Sequence, residues 1–138
     1  MRGLLTLTVG VLLVAGAAGA GDAKDDLKKL EGKWVVEKSD IGTAVMILSK
    51  DTFDFDWDGK KFKGTFKIDP TKKPRHMDMT IKEGEMFKDQ TAQTIYELDG
   101  DTLKWCSDEP GTNKRATEFP KDANTVGAHV YFVFKRAK

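Results

Sequence analysis

The sequence predicts an all-β domain, eight antiparallel strands in an up-and-down barrel, preceded by a short helical turn. Two observations carry that expectation. From Lys33 onward, eight short segments alternate apolar and polar residues with a period of two, and turn-forming residues separate them at regular intervals. At 138 residues, about 118 of them after a leader, the chain has the size of one domain.

The first twenty residues have the three parts of a secretory signal: Arg2 as a positive start, an apolar run from Leu4 to Val14, and the small-residue cleavage site Ala18-Gly19-Ala20. A membrane span needs about 20 strongly apolar residues, and this run gives way to Ala and Gly from Ala15 onward. The chain therefore divides into a signal peptide at 1–20 and a barrel domain at 21–138. The mature protein is expected to be exported, periplasmic or extracellular, and not to span the membrane.

Asp22 to Leu30 is charged, with Leu27 and Leu30 three apart, which predicts a helical turn leading into the barrel. Strands are predicted at Lys33 to Ser39, Thr43 to Ser49, Thr52 to Trp57, Lys60 to Ile68, His76 to Lys82, Thr91 to Leu98, Asp101 to Ser107 and His129 to Arg136. Asp58-Gly59 is a preferred dipeptide for a two-residue type I′ turn, and it sets the register of the third and fourth strands. Trp57 then faces Lys60, Asp56 faces Lys61, Phe55 faces Phe62, Asp54 faces Lys63 and Phe53 faces Gly64. One face carries Phe53, Phe55, Trp57, Phe62, Phe66 and Ile68, and a one-residue slip would expose that whole row. The same chemistry at Asp99-Gly100 sets Tyr96 opposite Leu103 and Thr94 opposite Trp105. Val130, Phe132 and Phe134 repeat the pattern in the last strand. Asp108 to Ala128 is too long for an ordinary connection and holds two prolines and two glycines, so it is the expected lid.

Charge and motifs exclude several functions. Lys and Arg number 23 against 22 Asp and Glu, and Arg2 is the sole cation before residue 21, so the mature chain is formally neutral and no nucleic acid is expected as partner. Cys106 is the single cysteine, which forbids an internal disulfide. Asp54, Asp56, Asp58 and Gly59 open a calcium-loop pattern, but position twelve holds Thr65 where a bidentate Glu is needed, and Lys60, Lys61 and Lys63 fall among the ligands. His76 and Asp78 share a strand face and could hold a metal with a third ligand from elsewhere, but they read as rim residues beside a proline-bounded loop, and Cys106 with His129 is a formal nucleophile and base pair with nothing in the local sequence to activate the thiol. No phosphate-binding glycine loop occurs, so neither metal nor cofactor is expected and the chain reads as a non-enzymatic monomer. Lys72, Lys73 and Arg75 read as a solvated loop.

Gly32-Lys33-Trp34 opens the first strand after a helical segment and Arg136 closes the last one, and in this the two ends resemble a lipocalin-type barrel. That resemblance implies that Trp34 and Arg136 pack together where the barrel closes. Four further stretches carry a similarity over Leu30 to Lys135: Leu30-Glu31-Gly32-Lys33-Trp34; Gly64-Thr65-Phe66-Lys67-Ile68-Asp69-Pro70 with Lys73-Pro74 and Asp78; Ile95 to Lys104; and Pro110-Gly111 with Arg115, Thr117, Glu118 and Phe119. They resemble the uncharacterised lipocalin-like domains abundant in planctomycete bacteria. This sequence has Thr94 where that family usually has Gly, and Ala116 where it usually has Pro. The resemblance implies a lipocalin-like barrel and export, and it supplies no catalytic residues.

An eight-stranded barrel is just wide enough to be filled by side chains or to hold one small ligand. The expected function is binding of a small apolar or amphipathic molecule in the lumen. Trp57, Tyr96 and Trp105 are the candidate ligand contacts at its mouth, beneath the loop from Asp108 to Ala128. The alternative is an envelope protein-interaction or inhibitor module that uses loops or strand edges.

Overall fold

Alternation at period two decides which way each strand faces. The computed structural model describes residues 23–36, 39, 41–127 and 129–137, and the expected signal at 1–20 lies outside them. The strands are β1 (Gly32–Val36), β2 (Ala44–Ser49), β3 (Thr52–Trp57), β4 (Lys60–Asp69), β5 (Arg75–Gly84), β6 (Thr91–Asp99), β7 (Thr102–Ser107), β8 (Thr125–Val126) and β9 (Val130–Arg136). Along the middle of the long strands alternate residues are buried, as in Met77, Met79 and Ile81 of β5 or Leu103 and Trp105 of β7. These inward residues form one core.

β1 to β7 are neighbours in chain order, β9 pairs with β7, and β9 returns to β1 through Trp34 opposite Arg136 and Val35 opposite Lys135. The result is a closed, antiparallel, eight-stranded barrel preceded by one short helix, α1, at 23–30. Closure pairs the strand edges with each other, which removes them as places for another chain to add. β8 was not expected; it is a two-residue strand inside the long β7–β9 connection and lies against the start of β9.

In an up-and-down barrel, successive turns alternate between the two ends. The lower end holds α1 and the turns after β2, β4 and β6, and the upper end holds the connections after β1, β3, β5 and β7. Leu30 and Asp26 lie one helical turn apart on α1 and are both buried against the lower end. The Tyr96 hydroxyl donates to the Asp26 carboxylate at 2.7 Å, and Arg75 Nη1 stands 3.3 Å from the same group. Burial, then this hydrogen bond, pushes the Tyr96 hydroxyl far above its ordinary value.

The β3–β4 hairpin has the predicted register in all five pairs. Asp58 and Gly59 both have positive φ, 54° and 91°, as a type I′ turn requires. The β6–β7 hairpin differs from expectation. Asp99 pairs with Thr102, so the central turn residues are Gly100 and Asp101, and the partner sets shift by two: Tyr96 faces Trp105, Leu98 faces Leu103, and Thr94 faces Ser107. Gly100 alone has positive φ, which suits a turn with glycine in the first central position. A shift of two keeps every side chain on its predicted face.

Gly64 sits at a bulge, where Lys63 pairs with Glu83 but Gly64 pairs with Ile81. A Cβ there would lie 1.8 Å from the Thr80 carbonyl oxygen, so the backbones approach too closely for any side chain. Gly64→Ala is expected to cost about 1 to 3 kcal/mol, the usual range for overpacking. A denaturant melt with an unchanged midpoint would contradict this placement.

The long connection is not a free lid. Its middle folds back over the outer wall, where Ile95, Cys106 and Tyr131 face outward in one cross-strand row and are covered by Ala116 and Phe119. Arg115 pairs with Asp78 and donates to the Thr94 carbonyl, and Asn124 accepts from the Val133 amide at 2.6 Å. The outer faces of β6, β7 and β9 are apolar at these positions, and this strap is what buries them.

Candidate functional site

Above the packed lower half, the barrel is open inside. A cavity of about 490 Å³ occupies the upper end, within the range of about 300 to 1,000 Å³ typical of small-molecule sites. Phe53, Phe55, Phe62, Met79, Ile81, Ala92 and Trp105 supply its walls from inward strand positions, and Ala92, opposite Met79, leaves room where a larger side chain would fill the lumen. Trp57, Phe87, Asp108, Glu109, Pro110, Val126 and His129 surround the mouth.

Aromatic contacts fix these walls. The Phe55 ring lies 5.5 Å from Trp105 and 6.2 Å from both Phe62 and Phe132, and Trp57 meets Phe132 edge-on at 5.4 Å. Such pairs contribute about 0.5 to 1.5 kcal/mol beyond their burial and hold each other in place. The Trp57 indole N–H donates to the Ile41 carbonyl at 2.7 Å, which pins that ring at the rim.

Trp57 and Trp105 therefore both line the cavity, but Tyr96 does not. Tyr96 is fully buried at the lower end with its hydroxyl on Asp26. The reason is topological: the turns after β3 and after β6 are three apart in order, so they lie at opposite ends. Aromatics close to both hairpin turns cannot share one mouth.

The polar groups of the site gather on one side of the mouth. His129 Nδ1 stands 3.5 Å from Asp108 Oδ2 without the geometry of a hydrogen bond, and the Glu109 amide donates to Asp108 Oδ1 at 2.8 Å. Among the described residues, the buried side-chain nitrogens and oxygens without a hydrogen-bond partner are Trp105 Nε1 and His129 Nδ1. Both belong to residues of the cavity wall. Buried polar groups are seldom left unpaired, and these two atoms are themselves covered by protein rather than open to the cavity.

The structure separates the other candidate groups. Ser107, Asp108 and His129 are close together, but the Ser107 hydroxyl donates to the Asp108 carbonyl at 2.7 Å and so is turned toward the backbone. Cys106 faces outward under the strap, where burial, then the Asp108 charge, pushes its thiol up to about 11. Asp78 is held by Arg115, and burial followed by the Arg115 charge lowers the His76 pKa. Asp54 lies 3.8 Å from Lys63, Asp56 accepts from the Gly59 amide, and Asp58 accepts from Thr43. Among the described residues no three His, Cys, Asp or Glu side chains are gathered as a metal site.

At the closure, Trp34 donates its indole N–H to the Leu30 carbonyl at 2.8 Å and the Arg136 guanidinium lies 4.2 Å above the ring centre. The same guanidinium donates to the Lys29 and Glu31 carbonyls at the end of α1.

No protein-family model, curated protein or solved structure matches the chain. Its functional reading therefore rests on the site itself. Sequence reasoning set the loop from Asp108 to Ala128 over the mouth but did not single out Phe87, Asp108, Glu109 or His129. The signal that finds them is the alternation of turns: once the β3–β4 turn is placed at the mouth, the connections after β5 and β7 must lie there too.

Proposed function

We propose that the protein is an exported, non-enzymatic binder of a small apolar or amphipathic molecule, held in the upper half of the barrel. One observation carries this: an apolar cavity of about 490 Å³, open at the upper end of the barrel. Arg2, the apolar run and Ala18-Gly19-Ala20 support export, and so does the resemblance to lipocalin-like domains. Protein recovered from the cell envelope is expected to start at Gly21 by intact mass. Full-length chain recovered from the cytoplasm would refute export.

The binding reading is tested by titrating the purified barrel with the neutral fluorophore N-phenyl-1-naphthylamine. Saturable binding is expected, with stabilisation of about 2.7 kcal/mol when the free probe is at a hundredfold excess over Kd. Ala92→Leu, which extends a side chain into the cavity, is expected to abolish the signal while leaving the melt cooperative. An unchanged titration in that variant would place binding elsewhere, and the absence of any saturable binding would refute the reading.

A further inference from the structure

We propose that the molecule this cavity takes is an amphiphile with a protonated amine at its polar end, a narrower claim that rests on the cavity reading above. The charged groups of the mouth are the carboxylates of Asp108 and Glu109, with His129 beside them, and no lysine or arginine belongs to the cavity lining. Asp108 is largely buried, with its side chain 17 % exposed, so its charge is poorly screened by solvent. Its contacts leave it short of a full partner: it accepts from one backbone amide, and His129 Nδ1 is 3.5 Å away without a hydrogen bond.

A carboxylate head entering this mouth would meet two like charges and no lysine or arginine. An ammonium head meets opposite charge, and it also meets the indole of Trp57 on the rim, whose face attracts cations. The mouth and the space beneath it act together: the apolar cavity takes the hydrocarbon part, and the carboxylates of Asp108 and Glu109 meet the head.

The test uses one chain with three heads: octylamine, 1-octanol and octanoate, each displacing the bound fluorophore at neutral pH. Octylamine is expected to bind at least about tenfold more tightly than octanoate, in line with a hydrogen bond to a charged group, with octanol between them. In Asp108→Asn with Glu109→Gln the octylamine and octanol affinities are expected to fall within about threefold of each other. Asn keeps an acceptor for the Glu109 amide, and Glu109→Gln alone, at an exposed position, gives the same direction if the double variant folds poorly. Octanoate binding as well as octylamine, or an amine preference that survives the variants, overturns the inference. If none of the three displaces a fluorophore that itself binds, the inference falls and the cavity reading stands. If the fluorophore does not bind either, both fall.

Discussion

Trp34→Ala is expected to cost the fold about 3 to 5 kcal/mol, the range for truncating a large aromatic in a packed core. Trp34 is fully buried, and it joins three things: α1 through the Leu30 carbonyl, Arg136 through the face of its ring, and the β1–β9 seam through its strand pairing. Among the described residues the seam rests on two residue pairs, so losing the ring leaves the closure to backbone bonds, Val35 and the Arg136 contacts with the Lys29 and Glu31 carbonyls. Domains of this size have about 5 to 15 kcal/mol in total, which makes the loss a large fraction of the whole. The check is the urea midpoint at constant slope. Arg136→Lys is the companion variant, expected to lose less, since a partly exposed cation–π contact is worth about 0.5 to 1 kcal/mol. A Trp34→Ala loss below that of Arg136→Lys would show that the closure is held by the guanidinium and not by the ring.

Trp105→Ala is expected to produce two effects together, destabilisation of about 3 to 5 kcal/mol and loss of fluorophore binding. The ring packs against Phe55, Phe132 and Phe134 at 5.5 to 6.3 Å, so it belongs to the core as well as to the cavity wall. Trp105→Phe separates the two roles. It retains most of the apolar packing, so its melt should stay closer to that of the parent than the melt of Trp105→Ala, while the smaller ring changes the cavity wall and with it the affinity for the fluorophore. Binding measured well below the melting midpoint keeps the comparison within folded protein. An unchanged Kd in Trp105→Phe would mean that the indole does not touch the ligand.

Much of this architecture was legible because period-two alternation and Asp-Gly turns act locally. Phe53, Phe55 and Phe62 were placed on the correct face and in the correct register because Asp58 and Gly59 both accept positive φ. The second hairpin slipped because Asp99-Gly100-Asp101 offers two overlapping turns, and which one forms depends on the pairing of β7 with β9 as well as on the dipeptide. Tyr96 was misplaced for a different reason. Alternation fixes the side of the sheet a residue faces but not its height along the barrel axis, and height decides between the mouth and the floor. The outer strap was hard to see because Ala116 and Phe119 lie outside any periodic apolar run, although the unbroken apolar run from Val130 to Phe134 marks β9 as covered on both faces. The polar cluster of the mouth was missed with it, since Asp108 and His129 stand at the two ends of that same connection.

Anchoring the middle of the β7–β9 connection to the outer wall has a kinetic consequence. Arg115, Phe119 and Asn124 tether the segment whose two ends, at Asp108 to Pro110 and at Val126 to Gly127, form part of the mouth. A flap so tethered cannot swing clear without first breaking those contacts, so entry and exit depend on side chains at the rim, such as Phe87, turning aside. Rotamer changes are fast compared with loop opening. Association should then follow a single exponential linear in ligand concentration, and differences in affinity among ligands should show themselves as differences in how long each one stays.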